Sequence, residues 1–368
     1  MTPTAVAAVS SSSGAAAPIL ILGQGLAGTL LAWQLHWLGR RVMLLDREDA
    51  VTSSRIAAGI VTPITGKRVA LSHEVDIFLP EATACYQRAA AALGAAHFHP
   101  LPQVRLFQND TERASFADKR TRPEFVRHLS GPQPEPLADA TLIQGPLDGF
   151  EMRDSGWLDT RAWLAASAAF FAARGEYRQA SVQPADISLT AGGVSVAGLH
   201  GSALVFCEGH AGAANPWFPW LKWKSAKGEI LTLSIPGLRQ EHRILNRGGW
   251  LLPVDGAAGG GTFRSGATYT WDDLSTTPTP EARTVLEQRL QSLLRVPWEV
   301  TAHHAAVRPI LHQSLAKMGR HPSHPALVFF NGLGSKGVLH GPRYTRLLAE
   351  NLVHNAPIPS HLDVAGNH

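Results

Sequence analysis

The sequence predicts an α/β fold in which one sheet-and-helix domain is discontinuous and a β-rich, mixed-sheet region is inserted into it. Three observations predict this. Short, fully apolar runs at 19–22, 42–45, 204–207 and 326–330 read as strands buried on both faces of a parallel sheet. Helical spacing of apolar residues follows the runs near both chain ends. The middle of the chain is instead richer in strand and turn signals.

Each element follows in order. The run 19–22 opens straight into glycines, and 26–38 carries apolar residues at helical spacing, with Gly39 placed to end the helix. Residues 42–45 form the second buried strand and lead into Asp46. The stretch 52–72 is rich in Gly, Thr, Ser and Pro and reads as extended loop. An Ala-rich helix is expected over 81–93, a strand near 100–107, and polar, proline-punctuated surface structure over 109–145. A second Ala-rich helix covers 159–174 and closes at Gly175. The strand 204–207 ends at Gly209. Strands follow at 227–233 and 249–253, with Gly259-Gly260-Gly261 as a hairpin tip. Thr279 caps a helix over 280–294. Strand 326–330 leads through a glycine-rich turn at 332–337 into a helix over 339–353.

Composition bounds the function classes. The chain has 368 residues, 45% of them hydrophobic and only 17% charged, which suits a large core or two domains sharing an interface. The formal charge is +4 and the pI about 9.3, without a Lys/Arg-dense run. That argues against a nucleic-acid partner and for anionic small ligands. Cys85 and Cys207 form no CxxC pair and read as buried small side chains. Residues 1–17, rich in Ala, Ser and Thr and lacking a basic start, read as a disordered leader rather than a secretory signal. No apolar run reaches membrane-spanning length, so a cytoplasmic protein is the expectation.

Gly23-Gln24-Gly25-Leu26-Ala27-Gly28 matches GxGxxG between an apolar strand and a helix, and Asp46 ends the next strand. In that context the motif is a dinucleotide fingerprint. Gly23 serves the tight turn, Gly25 the approach of backbone to pyrophosphate, and Gly28 close helix–strand packing. Leu26 and Ala27 bring N–H groups and the positive end of the helix dipole to the phosphates. Asp46, with Arg47 beside it, is set for the ribose hydroxyls and would repel a 2′-phosphate.

Three further stretches resemble the D-amino-acid-oxidase-like (DAO) family of FAD-dependent oxidoreductases, which includes glycine oxidase, sarcosine oxidase and the oxidase domain of a bifunctional tRNA-modifying enzyme. They are Ser53-Ser54-Arg55-Ile56-Ala57-Ala58-Gly59 running toward Pro63, Gly156-Trp157-Leu158-Asp159, and Val307-Arg308-Pro309 with Asn331-Gly332-Leu333-Gly334-Ser335-Lys336-Gly337. The resemblance spans roughly residues 18 to 355. It implies a Rossmann-like FAD-binding domain from 18–80, 146–226 and 301–368, and a substrate domain from 81–145 and 227–300. It implies FAD contacts from Ser54, Ala58, Gly59, Gly209, Gly332, Gly334, Ser335, Lys336 and Gly337. It also implies hydride transfer from a C–N bond to flavin N5, with Arg308 anchoring a substrate carboxylate and Tyr269 and Trp250 lining the pocket. Lys336 and the helix N-terminus behind it are expected to favour negative charge at the flavin. Sarcosine-oxidase relatives hold flavin through a cysteine in the C-terminal half. No cysteine follows Cys207, so non-covalent FAD is expected.

The substrate is expected to be a small amine or amino acid, with the electron acceptor unspecified. The alternative is a tRNA-modification oxidase acting on a carboxymethylaminomethyl-type nucleobase side chain. Arg55 and Lys67 read as surface cations. His303, His304, His312, His321 and His324 match no metal-ligand spacing, and no metal is expected.

Overall fold

A computed structural model describes residues 17–131, 136–254 and 260–367. Residues 1–16 of the predicted leader and Gly259 of the predicted hairpin tip lie outside them.

In chain order, the first elements that build the site are β1 (Ile19–Leu22), α1 (Leu26–Trp37), β2 (Val42–Asp46), α2 (Ser53–Ile56), α3 (Val75–Leu93) and β3 (Gln103–Leu106). There follow β4 (Gly149–Met152), α4 (Thr160–Ala173), β5 (Tyr177–Gln179), β6 (Ala203–Phe206), β7 (Ala226–Ser234), β8 (Ile244–Asn246), β9 (Trp250–Pro253) and β10 (Thr262–Gly266). The last are α5 (Pro280–Leu293), β11 (Glu299–Arg308), β12 (Lys317–Arg320), β13 (Leu327–Asn331) and α6 (Gly337–His354).

One sheet runs β5-β2-β1-β6-β13-β12, parallel except for the antiparallel edge strand β12. Both of its faces are covered, as its unbroken apolar strands require. Ile19 and Ile21 of β1 face a core shared with α1, α3, α4 and α6, while Leu20 and Leu22 face a second core beneath a three-stranded sheet spanning residues 187–201. Trp33 of α1 is fully buried and donates Nε1–H to Ser167 Oγ of α4 at 3.0 Å.

The second sheet runs β11-β7-β10-β9-β8-β3-β4, with only β8 and β3 parallel to each other. Leu231 and Leu233 of β7 pack against Leu286, Leu290 and Leu293 of α5. Thr279 Oγ1 caps α5, as the sequence indicated, by accepting the Ala282 N–H at 3.3 Å.

The segments divide differently from the sequence-based boundaries. β4 and β11, assigned there wholly or largely to the nucleotide side, pair into the seven-stranded sheet. A boundary at 301 therefore cuts through β11. Helix α3 starts at Val75, six residues before the expected position, and keeps Pro80 inside it. Its Phe78, Ala82 and Cys85 belong to the core under the parallel sheet, and Glu81 pairs with Arg346 of α6 at 3.0 Å. Tertiary burial outweighs the proline's penalty there. The short strands at 149–152, 177–179 and 317–320 carry too few residues for a period to be legible.

Candidate active site

A cavity of about 490 Å³ opens at the carboxyl ends of β1, β2, β6 and β13 and reaches across to β7 and β11 of the second sheet. Such a position, outside the carboxyl ends of parallel strands, is where doubly wound sheets bind ligands. Asp46, Arg47 and Glu208 line one end, and Trp250, Ala267 and Arg308 line the other.

The glycine turn forms the floor. Gly23 has φ +105°, and a Cβ there would lie 2.4 Å from the Cys207 carbonyl oxygen. Gly28 does not face the cavity; a Cβ on it would lie 1.9 Å from the Gly23 carbonyl oxygen, so its absence seats α1 against the turn. Gly25, Leu26 and Ala27 line the cavity, and the Gly25 N-cap supplies no side-chain hydrogen bond to the helix start. The Leu26 N–H donates to Ser54 Oγ at 2.9 Å. Asp46 accepts the Gln24 N–H at 2.6 Å and the Glu48 N–H at 2.7 Å, one on each oxygen. A carboxylate has about four acceptor positions, so each oxygen keeps capacity for a hydroxyl donor. Arg47 pairs with Asp49 at 2.5 Å.

The loop after β2 reaches the cavity through Ser54, Ala58 and Gly59. It is held from the second sheet: half-buried Arg264 of β10 donates Nη1–H to the Ala57 carbonyl at 2.9 Å and Nη2–H to the Ile56 carbonyl. Burial lowers the pKa of this guanidinium from its ordinary value. Sequence reading missed Arg264, because nothing local in 262–266 announces a contact with residue 57.

Gly209, Gly334, Ser335 and Gly337 also line the cavity, which places the N-terminus of α6 against it. Gly332 lies behind this wall, where a Cβ would meet Leu311 at 2.8 Å. Lys336 departs from expectation. It is absent from the lining, and its ammonium donates to Ser72 Oγ at 3.1 Å, turned away by the backbone that puts Ser335 and Gly337 inward. Burial lowers its pKa.

Arg308 ends β11 beneath the cavity and is largely buried, which lowers its pKa. Its Nη1–H reaches the carbonyls of Lys227 at 3.3 Å and Thr268 at 3.2 Å, and its guanidinium sits 4.3 Å from the centre of the Tyr269 ring. Among the described residues no carboxylate pairs with it. Tyr269 therefore meets Arg308 without lining the cavity, and it is 44% exposed. Trp250 does line it. Lys67 is exposed and Arg55 faces a separate surface groove. Of the histidines, His303 contacts Glu229 at 2.8 Å and His321 and His324 lie among Trp217, Phe218 and Trp220.

A family profile described as FAD dependent oxidoreductase (DAO) matches residues 18–351. The chain belongs to the DAO family. Glycine oxidase from Geobacillus kaustophilus is similar to it at 19% identity and TM-score 0.75, over 93% of this chain and 95% of that one. Glycine oxidase from Bacillus cereus is similar at 18% and 0.76, over 93% and 96%. Iminodiacetate oxidase from Chelativorans sp. BNC1 is similar at 18% and 0.73, over 93% and 97%. At such identities the likeness is one of fold.

The residues of this DAO-family oxidoreductase fit FAD. The side-chain-free turn at Gly23 and Gly25, the start of α1 with Ser54 Oγ at its first N–H, and the Asp46 carboxylate suit an ADP moiety. The start of α6 adds a second helix N-terminus. Among the described residues no helix is long and apolar enough to cross a membrane.

Proposed function

We propose that this cavity holds FAD non-covalently and that the enzyme oxidises the C–N bond of a small amine or amino acid whose carboxylate Arg308 anchors. One observation carries the substrate reading: Arg308 is a largely buried guanidinium on the cavity wall that, among the described residues, meets carbonyls and an aromatic face and no carboxylate. Its planar fork matches a carboxylate, and a ligand carboxylate would supply the missing counter-charge. The activities named for the glycine and iminodiacetate oxidases support the same class. FAD, when bound, supplies the hydride acceptor at flavin N5.

The chain's own groups bind, orient and shield. Asp46 takes the ribose hydroxyls, and the first turn of α1 takes the pyrophosphate. Ser54, Ala58, Gly59, Gly209, Gly334, Ser335 and Gly337 complete the cradle, and the positive end of α6 favours anionic character beside it. Trp250 and Ile230 keep water from the substrate end. Orientation by Arg308 places the substrate for transfer without a dedicated protein base. Non-covalent binding agrees with the buried state of both thiols: burial pushes Cys85 up to about 12 and Cys207 up further. The domain division that suits the sheets is a nucleotide side around β1, β2, β6 and β13 and a substrate side around β7 to β11.

The test is a visible spectrum of the purified protein, then anaerobic titration with glycine, sarcosine, iminodiacetate and D- and L-proline. A flavin band released by acid or heat, and bleached by a member of this panel, is the expected result. A colourless protein that takes up no added FAD ends the reading.

A further inference from the structure

The surroundings of Arg308 contain a charged cluster that the reading above leaves unused. Lys227 of β7 is 1% exposed, and its ammonium donates to Asp273 Oδ2 at 2.5 Å, Ser275 Oγ at 3.1 Å and the Thr277 carbonyl at 2.5 Å. Glu229, two residues on and on the same face of the strand, stands 3.6 Å from that ammonium. It accepts both the N–H and the hydroxyl of Thr279 at 2.9 Å. The backbone of the same strand pairs with the start of this segment: Lys227 N–H donates to the Thr270 carbonyl at 2.8 Å, and Thr270 N–H returns to the Lys227 carbonyl at 3.0 Å.

The segment held in this way bears on the site. It supplies Thr268, whose carbonyl orients Arg308, Tyr269, whose ring covers it, and Leu274 and Thr276, which line the cavity. Between β7 and the segment, Gly228 leaves the guanidinium its space; a Cβ there would lie 2.1 Å from Arg308 Nη1. A fully buried lysine is costly to keep unless its partners matter.

Resting on the reading of Arg308 as carboxylate anchor, we propose that Lys227 is a positioning residue. It rivets residues 268–277 to β7, and so sets the orientation of Arg308 and the shape of the substrate end of the cavity.

The test uses the flavin-loaded protein with acetate as a carboxylate probe and acetamide as its uncharged control, read as perturbation of the flavin absorbance. The variants are K227M, K227R, D273N and R308A. Asp273 is part-exposed, so D273N keeps the test open should K227M not fold. The expected result is an acetate dissociation constant raised roughly tenfold in K227M and D273N, with flavin content and acetamide binding unchanged and partial rescue in K227R. R308A weakened with K227M and D273N at wild-type affinity overturns the role of Lys227 alone. An unchanged R308A overturns the anchor itself, and this inference with it.

Discussion

The Arg308 guanidinium lies 4.3 Å from the centre of the Tyr269 ring, so the cation is presented to the cavity with one face already covered. Such stacking contributes about 0.5–2 kcal/mol and restricts the guanidinium's rotation. Tyr269→Phe keeps a ring face and should leave KM for a carboxylate substrate unchanged. Tyr269→Ala should raise it about fivefold with little change in kcat. Steady-state kinetics of the two variants decide this; equal KM values would show that the ring is idle.

Asp46 organises two backbone N–H groups as well as facing the cavity. Asp46→Ala removes both acceptors, each worth about 1.5–3 kcal/mol as a bond to a charged group. The flavin-to-protein absorbance ratio should fall sharply after gel filtration. Retention at the wild-type ratio would take Asp46 out of the cofactor site.

Arg264 holds the loop at residues 56 and 57 from the opposite sheet. Arg264→Met fills similar volume but removes the donor to the Ile56 carbonyl and leaves the Ala57 carbonyl with the Thr160 hydroxyl alone, at a cost of about 1–3 kcal/mol for the carbonyl left without a partner. The expected outcome is faster flavin release, followed as fluorescence recovery on dilution. Release at the wild-type rate would assign the loop's order to α2 alone.

His340 of α6 has its pKa depressed to about 4 from 6.5, first by burial and then by the nearby charges of Lys336 and His73. The unfolded chain thus binds the extra proton at higher pH than the folded one. Stability rises with pH across that window and is lost as pH falls from 6.5 toward 4, by up to about 3 kcal/mol. His340→Phe, which keeps the packing on Phe78 and Tyr344, should flatten the urea-midpoint profile between those pH values. An equally steep profile in the variant would place the acid sensitivity elsewhere.

The nucleotide end of the site was legible because its chemistry is local. GxGxxG, the apolar strand before it and Asp46 after it lie within one βαβ unit, and their spacing alone prescribes a turn, a helix start and a carboxylate. The glycines of 332–337 were legible for the same reason, yet which neighbour turns inward was not: one backbone places Ser335 on the cavity and Lys336 on Ser72.

Local pattern therefore settled the buried parallel strands and the fingerprint helix, and the family resemblance singled out Arg308 before Pro309. Only the folded chain decided what surrounds that arginine. Lys227 and Glu229 read in the sequence as charges within a strand, and their burial follows from partners about 45 to 50 residues away at Asp273 and Thr279. Arg264 meets a loop some 200 residues earlier. Periodicity reports which face of an element is apolar. It carries no information on which distant backbone will meet that face, because the pairing is selected by burial and hydrogen-bond satisfaction across the whole chain.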